Sequence, residues 1–308
     1  MNQKVDFLGI GAQKAATSWL YQNLRHHPDI WLPPRKELHY FDRSPIYPSP
    51  SYLASEHLIH RLFGTEDYNK GLLNQFIRGL LHGIREKDWN QTQWMLRYFL
   101  GTYNDDWYRS LFRAGEGKVK GEITPSYSIL GLKDVQHIRE MFPEVKVILI
   151  LRNPIDRAWS HVRFDWKRLG LNGPGELDKI KKFIDAPDQS LRSDYVRTLG
   201  TWTSCFPKEQ LFIGFYDDVI QDPRGVMVRI CEFLGVALLS NADAEILNRK
   251  VNVSRAWEIP KEIQCYLASK YYPELQKLSH LVGGHCTEWL EESERILKAA
   301  ERCAPLRG

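Results

Sequence analysis

The chain has 308 residues, 43% of them hydrophobic and 26% charged, which is enough apolar material for a full core and excludes a disordered polypeptide. Forty-two Lys and Arg against 38 Asp and Glu leave a net charge of +4, too small an excess to mark a nucleic-acid binder but compatible with a basic cleft for one anionic ligand. No apolar run approaches the ~18 residues of a membrane span, and the five cysteines form no CxxC pair; a soluble, cytoplasmic chain with free thiols and no bound metal is expected.

The first element is Lys4-Val5-Asp6-Phe7-Leu8-Gly9-Ile10-Gly11, short, apolar and closed by glycine, which reads as a buried strand. A helix should begin near Thr17 and Ser18, with Trp19, Leu20, Asn23 and Leu24 at helical spacing, and end at His26-His27-Pro28. Residues 43–117 hold Pro45, Pro48, Pro50 and a dense aromatic cluster within 89–108, with no clear strand. They read as a largely helical insertion, a lid on the acceptor side of a single domain spanning 1–308. Most of its rings are expected as packing anchors, the other reading being that some line an acceptor groove.

Further on, Leu132, Val135, Ile138 and Phe142 share one face of a helix. Val145-Lys146-Val147-Ile148-Leu149-Ile150-Leu151 is apolar at nearly every position, as a central parallel strand covered on both faces must be. Pro154 suits the first turn of the helix that follows it. The run Leu211-Phe212-Ile213-Gly214-Phe215-Tyr216 precedes Asp222-Pro223, an N-cap and N1 pair that opens a helix ending at Gly235. Repeated strand-helix units argue for an α/β fold with a central parallel sheet flanked by helices.

Two segments could carry chemistry. The small-residue loop Gly9-Ile10-Gly11-Ala12-Gln13-Lys14-Ala15-Ala16-Thr17-Ser18 joins a strand to a helix, so free backbone amides and the helix N-terminus favour a phosphate there. Lys14 adds a full charge, and Thr17 and Ser18 add hydroxyl donors. A merely structural loop with a solvated lysine is the alternative. The pattern departs from the nucleotide P-loop, because Ala15 stands where a magnesium-binding Ser or Thr would follow the lysine. The second segment is Leu151-Arg152-Asn153-Pro154-Ile155-Asp156-Arg157-Ala158-Trp159-Ser160-His161. Arg152 leaves the C-terminal end of a central strand, where ligands of open α/β sheets collect. Ser160 lies eight residues on, two helical turns away, so the two could share one phosphate.

With these two segments in order, the sequence resembles the sulfotransferases that use 3′-phosphoadenosine 5′-phosphosulfate (PAPS), in the branch of the heparan sulfate enzymes and their bacterial relatives. The resemblance extends through Lys36-Glu37-Leu38-His39-Tyr40-Phe41-Asp42, Gly121-Glu122-Ile123-Thr124-Pro125-Ser126-Tyr127 and Phe215-Tyr216-Asp217-Asp218-Val219-Ile220-Gln221-Asp222-Pro223. It implies a P-loop-like sulfotransferase fold. It also implies that Lys14, Ala15, Ala16, Thr17 and Ser18 hold the 5′-phosphosulfate and that Arg152 and Ser160 hold the 3′-phosphate. Glu37 would be the general base, with His39 beside it as the fallback base; from the residues alone, Glu37 reads rather as a surface salt bridge, and His39 equally as a structural histidine.

Two departures from the heparan pattern stand out. Ile123 takes the place of a lysine, which removes a second cation from that position. Asn248-Arg249-Lys250-Val251-Asn252-Val253-Ser254-Arg255 resembles the nucleotide-closing loop of bacterial members, with Asn252, Ser254 and Arg255 as the implied contacts. The expected reaction moves a sulfo group from PAPS to a hydroxyl or amine of a saccharide, glycolipid or secondary metabolite, leaves the 3′,5′-bisphosphate PAP, and needs no metal. A P-loop kinase or NTPase and a non-catalytic PAP-binding module are the competing readings.

Overall fold

The computed structural model describes residues 4–48, 51–55, 57–65, 71–171, 173, 175–238 and 257–303. Its centre is one sheet of five strands: β1 (Phe7–Gly11), β2 (Ile30–Trp31), β3 (Val119–Ile123), β4 (Lys146–Leu151) and β5 (Leu211–Phe215). All pairings are parallel and the order is β2-β3-β1-β4-β5. Every residue of β1 is buried, and so is all of β4 after Lys146, which is why both read as unbroken apolar runs. Parallel neighbours require crossovers. These are made by α1 (Thr17–Arg25), by a helical stretch with α2 (Leu58–Phe63), α3 (Leu72–Arg85), α4 (Trp89–Leu100) and α5 (Asp105–Ser110), by α6 (Leu132–Met141), and by α7 (Pro154–Arg168), α8 (Leu177–Asp185), α9 (Pro187–Ser193) and α10 (Tyr195–Thr203). After β5 come α11 (Tyr216–Gln221), α12 (Pro223–Leu234), α13 (Lys261–Val282) and α14 (His285–Cys303). The last two pair with each other, and α13 also packs on α7, α8 and α10.

Local chemistry explains the helix ends. Asn153 accepts a hydrogen bond from the Ile155 amide at 3.1 Å and Pro154 fills N1 of α7. Asp222 caps α12 through the Gly225 amide at 2.8 Å, and Gly235 closes it in the left-handed region with φ 78°. The strand read over 211–216 stops at Phe215, because Tyr216 already opens α11. Leu132 is corrected too. It begins α6 at 48% exposure, while Val135 and Ile138 carry the buried face.

Between residues 43 and 117 the described residues form helices and no strand. Trp94, Tyr98, Phe99, Trp107, Tyr108 and Phe112 are buried there, and Trp94 stacks on Tyr98 at 5.0 Å between centroids, so these rings build a core. Trp89 is the exposed member of the cluster. Strand β3 was not read from the sequence. Its alternation is broken by Gly121 and Glu122, yet Glu122 is buried beside the central strand. Cys205, Cys231, Cys265 and Cys286 are free thiols. No described helix is long and apolar enough to cross a membrane.

Candidate active site

In the parallel sheet the C-terminal ends of β1, β2, β3 and β4 lie at one edge, and the segments leaving them form the site. After β1 the chain turns through Lys14 at φ 71° and Ala16 at φ 62°, left-handed conformations that fold the loop into a concave row of amides. Among the described residues, none of the Gln13, Lys14, Ala16, Thr17 and Ser18 amides donates a backbone hydrogen bond. Ala15 is held from within, donating to the Ala12 carbonyl at 3.1 Å. Thr17 begins α1 and is buried, but no side chain caps this helix, which leaves its N-terminus facing the loop.

Arg152 joins the loop to the next strand. Its Nη1 donates to the Lys14 carbonyl at 2.8 Å, its guanidinium lies 4.2 Å from the Tyr216 ring centroid, and its own carbonyl accepts from the Tyr195 hydroxyl at 3.0 Å. The Arg152 Nε is buried with no hydrogen-bond partner among the described residues, as is Gln13 Oε1. Ser160 is buried on α7. The Lys14 ammonium rests 4.0 Å from the Phe164 ring centroid. Burial, followed by the charges of Arg152, Arg163 and Arg157, pushes it down to about 8. A knot of cations this crowded is poised for an anion.

Glu37 and His39 enter from the loop after β2. Both have positive φ, 65° and 57°, and the strain is held by hydrogen bonds from neighbouring segments. The Glu37 amide donates to the Ile123 carbonyl at 3.2 Å. The Leu38 amide donates to Thr124 Oγ1 at 3.0 Å and to Glu122 Oε2 at 3.3 Å, and the Leu38 carbonyl accepts from the Tyr98 hydroxyl at 3.2 Å. Glu122 in turn accepts from Thr124 and Tyr108, each at 2.6 Å, and from Tyr127 at 2.8 Å. Burial raises its carboxyl against the pull of these donors. Glu122→Ala should therefore destabilise the fold by about 3 kcal/mol or more, since it strands several buried donors, and denaturant melts should show it.

The sequence-predicted pair is brought together with a third member. His39 Nδ1 lies 2.8 Å from Asp42 Oδ2 and His39 Nε2 lies 3.6 Å from Glu37 Oε2, while Lys36 pairs with Glu37 Oε1 and Ser126 with Asp42. Burial opposes both charges. For Glu37, the hydrogen bond to His39 and the Lys36 ammonium outweigh it and hold the carboxyl down to about 2. For His39, Asp42 and Glu37 outweigh it and hold the ring up at about 9. At neutral pH Glu37 is thus a carboxylate and His39 an imidazolium. Asp42, fully buried, has no role in a reading by motif, although its spacing three residues after His39 is a legible signal. Ile123 is buried, and its side chain packs on Gly9, where an added Cβ would come within 2.8 Å. The cation beside Glu37 comes from Lys36 instead. Asn252, Ser254 and Arg255 lie outside the described residues.

The sulfotransferase domain model matches residues 4–256. Human heparan sulfate glucosamine 3-O-sulfotransferase 6 is 29% identical over 140 residues, covering 42% of this chain and 39% of its own length. Mouse heparan sulfate glucosamine 3-O-sulfotransferase 3A1 is 25% identical over 233 residues, 74% of this chain and 44% of its own. The chain thus spans less than half the length of these curated relatives. Among solved structures, a sulfotransferase from Alicyclobacillus acidocaldarius superposes with a TM-score of 0.63 at 22% identity, covering 93% of this chain and 98% of that one, so the P-loop-like fold is shared. The loop after β1, the Arg152 segment and the Glu37 loop all fall within the matched span, and the chain belongs to the sulfotransferase family.

Proposed function

We propose that the chain transfers a sulfo group from PAPS to a hydroxyl of an acceptor, with a saccharide as the favoured acceptor class. The observation that carries this reading is the convergence at one sheet edge of a free-amide loop with Lys14 and Arg152 on one side and an ionised, half-buried Glu37 on the other. The donor supplies the sulfo group and a phosphate leaving group. The buried Arg152 Nε, a donor without a partner among the described residues, together with the loop amides that make no backbone hydrogen bond, fits an anionic ligand of this kind.

The roles divide by position. The loop amides, Thr17 and Ser18 hold the 5′-phosphosulfate, and Lys14 neutralises charge that grows on the leaving phosphate oxygen. Arg152 and Ser160 hold the 3′-phosphate. Glu37 takes the proton of the acceptor hydroxyl as the new oxygen–sulfur bond forms and the bond to phosphate breaks. A carboxyl held near 2 is a weak base, but an arriving anionic sulfo group raises its basicity by like-charge repulsion. His39, clamped by Asp42, orients Glu37. Buried Ala15 offers no hydroxyl to a nucleotide-bound magnesium ion, which weighs against a kinase. The named acceptor of the curated relatives, heparan sulfate glucosamine, supports a saccharide hydroxyl.

The test is calorimetric titration with PAP and with ATP, each with and without magnesium, followed by sulfo transfer to a panel of saccharides. Metal-independent preference for PAP is expected, and Arg152→Ala should weaken PAP at least ~10-fold through loss of a charge-assisted bond. Tighter binding of magnesium-ATP would overturn the donor assignment. PAP binding without turnover on any acceptor would leave a binding module.

A further inference from the structure

The 3′-phosphate pair read from the sequence has a third basic neighbour. Helix α7 presents Asp156, Ser160, Arg163 and Phe164 at spacings of four, seven and eight residues, which places them within about 100° of arc on one face. The direction of that face is fixed by Phe164, whose ring lies 4.0 Å from the Lys14 ammonium. Arg163 is one turn beyond Ser160 on the same side. Its Nε is buried and has no hydrogen-bond partner among the described residues, the same condition as the Arg152 Nε.

Neither guanidinium makes an ion pair within 4.0 Å with a described carboxylate, although Asp156 lies in the field of both. Burial first, and then the Arg152 charge, lower Arg163, and Arg163 in turn helps to lower Lys14. Two arginines and a lysine that destabilise one another, with unused donors, are arranged for a ligand carrying more negative charge than one phosphate.

We propose that Arg163 is a third basic ligand of the donor's 3′-phosphate, beside Arg152 and Ser160, and that it sets the preference for a 3′-phosphorylated nucleotide. This rests on the PAPS reading above.

The experiment titrates wild type, Arg163→Ala and Arg163→Lys with PAP and with 5′-AMP, which lacks the 3′-phosphate. Wild type should prefer PAP. R163A should lose roughly 10- to 100-fold in PAP affinity with 5′-AMP unchanged, and R163K should recover part of the loss. Without ligand, R163A should melt no lower than wild type, because removing one of three crowded cations relieves repulsion; a structural arginine would lower the melting temperature. PAP affinity in R163A equal to wild type, or equal losses for PAP and 5′-AMP, overturns the assignment alone. Wild type without a preference for PAP overturns the donor reading and this assignment with it.

Discussion

Lys14→Ala should lower turnover by roughly 10²- to 10³-fold while weakening PAP binding far less, the signature of a group whose contribution grows as the leaving phosphate gains charge. In the resting protein the ammonium is held at about 8 by burial and by its arginine neighbours, and it rests on the Phe164 ring. An anionic leaving group reverses that balance. Steady-state assays at saturating donor read turnover, and calorimetry with PAP reads binding. Lys14→Arg is a second arm, because a planar fork does not replace a compact ammonium on a loop of positive φ. The pH profile of kcat/KM carries the same information. Lys14 loses its proton as pH rises through about 8, so the profile should fall on the alkaline side there. Unchanged turnover in the alanine variant would remove Lys14 from this role.

Glu37→Gln should cost on the order of 10²- to 10⁴-fold in turnover with donor affinity nearly intact, because the amide keeps the shape and loses the proton acceptor. The same experiment separates Glu37 from His39. A ring held at about 9 by Asp42 and Glu37 is protonated at neutral pH and has no lone pair to offer, whereas a carboxyl held at about 2 is ionised at any working pH. No acid limb from Glu37 is therefore expected in the pH profile above about 3. If Glu37→Gln retains wild-type turnover while His39→Ala does not, the proton goes to His39 and the resting charges are rearranged by the acceptor.

Much of the fold was legible because its signals are local. Pro154 at N1, the Asp222 cap and left-handed Gly235 each act within one turn of chain, and β4 announces itself by composition. Strand β3 was hidden because a glutamate one residue from its end argues against burial until its donors are seen, Thr124 and Tyr127 from the turn that follows it and Tyr108 from α5. The site divides the same way. The loop at Lys14 could be read as an anion cradle from its small residues, and Arg152 from its place at a strand end. The Asp42 clamp on His39 is local, three residues along the chain, whereas the approach of Arg163 to Lys14 depends on how distant segments pack, which no local pattern encodes.

The contact between the Glu37 amide and the Ile123 carbonyl ties the Glu37 loop to the sheet. The anion loop hangs from β1 and the base loop is docked on the end of β3, and these two strands are adjacent, with Gly9 level with Ile123. The strands that carry the two loops are therefore one ladder spacing apart, about 4.8 Å, an offset fixed by backbone hydrogen bonds. A one-residue slip of β3 would turn Glu122 out of its nest and carry Glu37 away from the line of transfer together. In the proposed reaction, the relative placement of the Lys14 loop and Glu37 is thus inherited from the sheet itself.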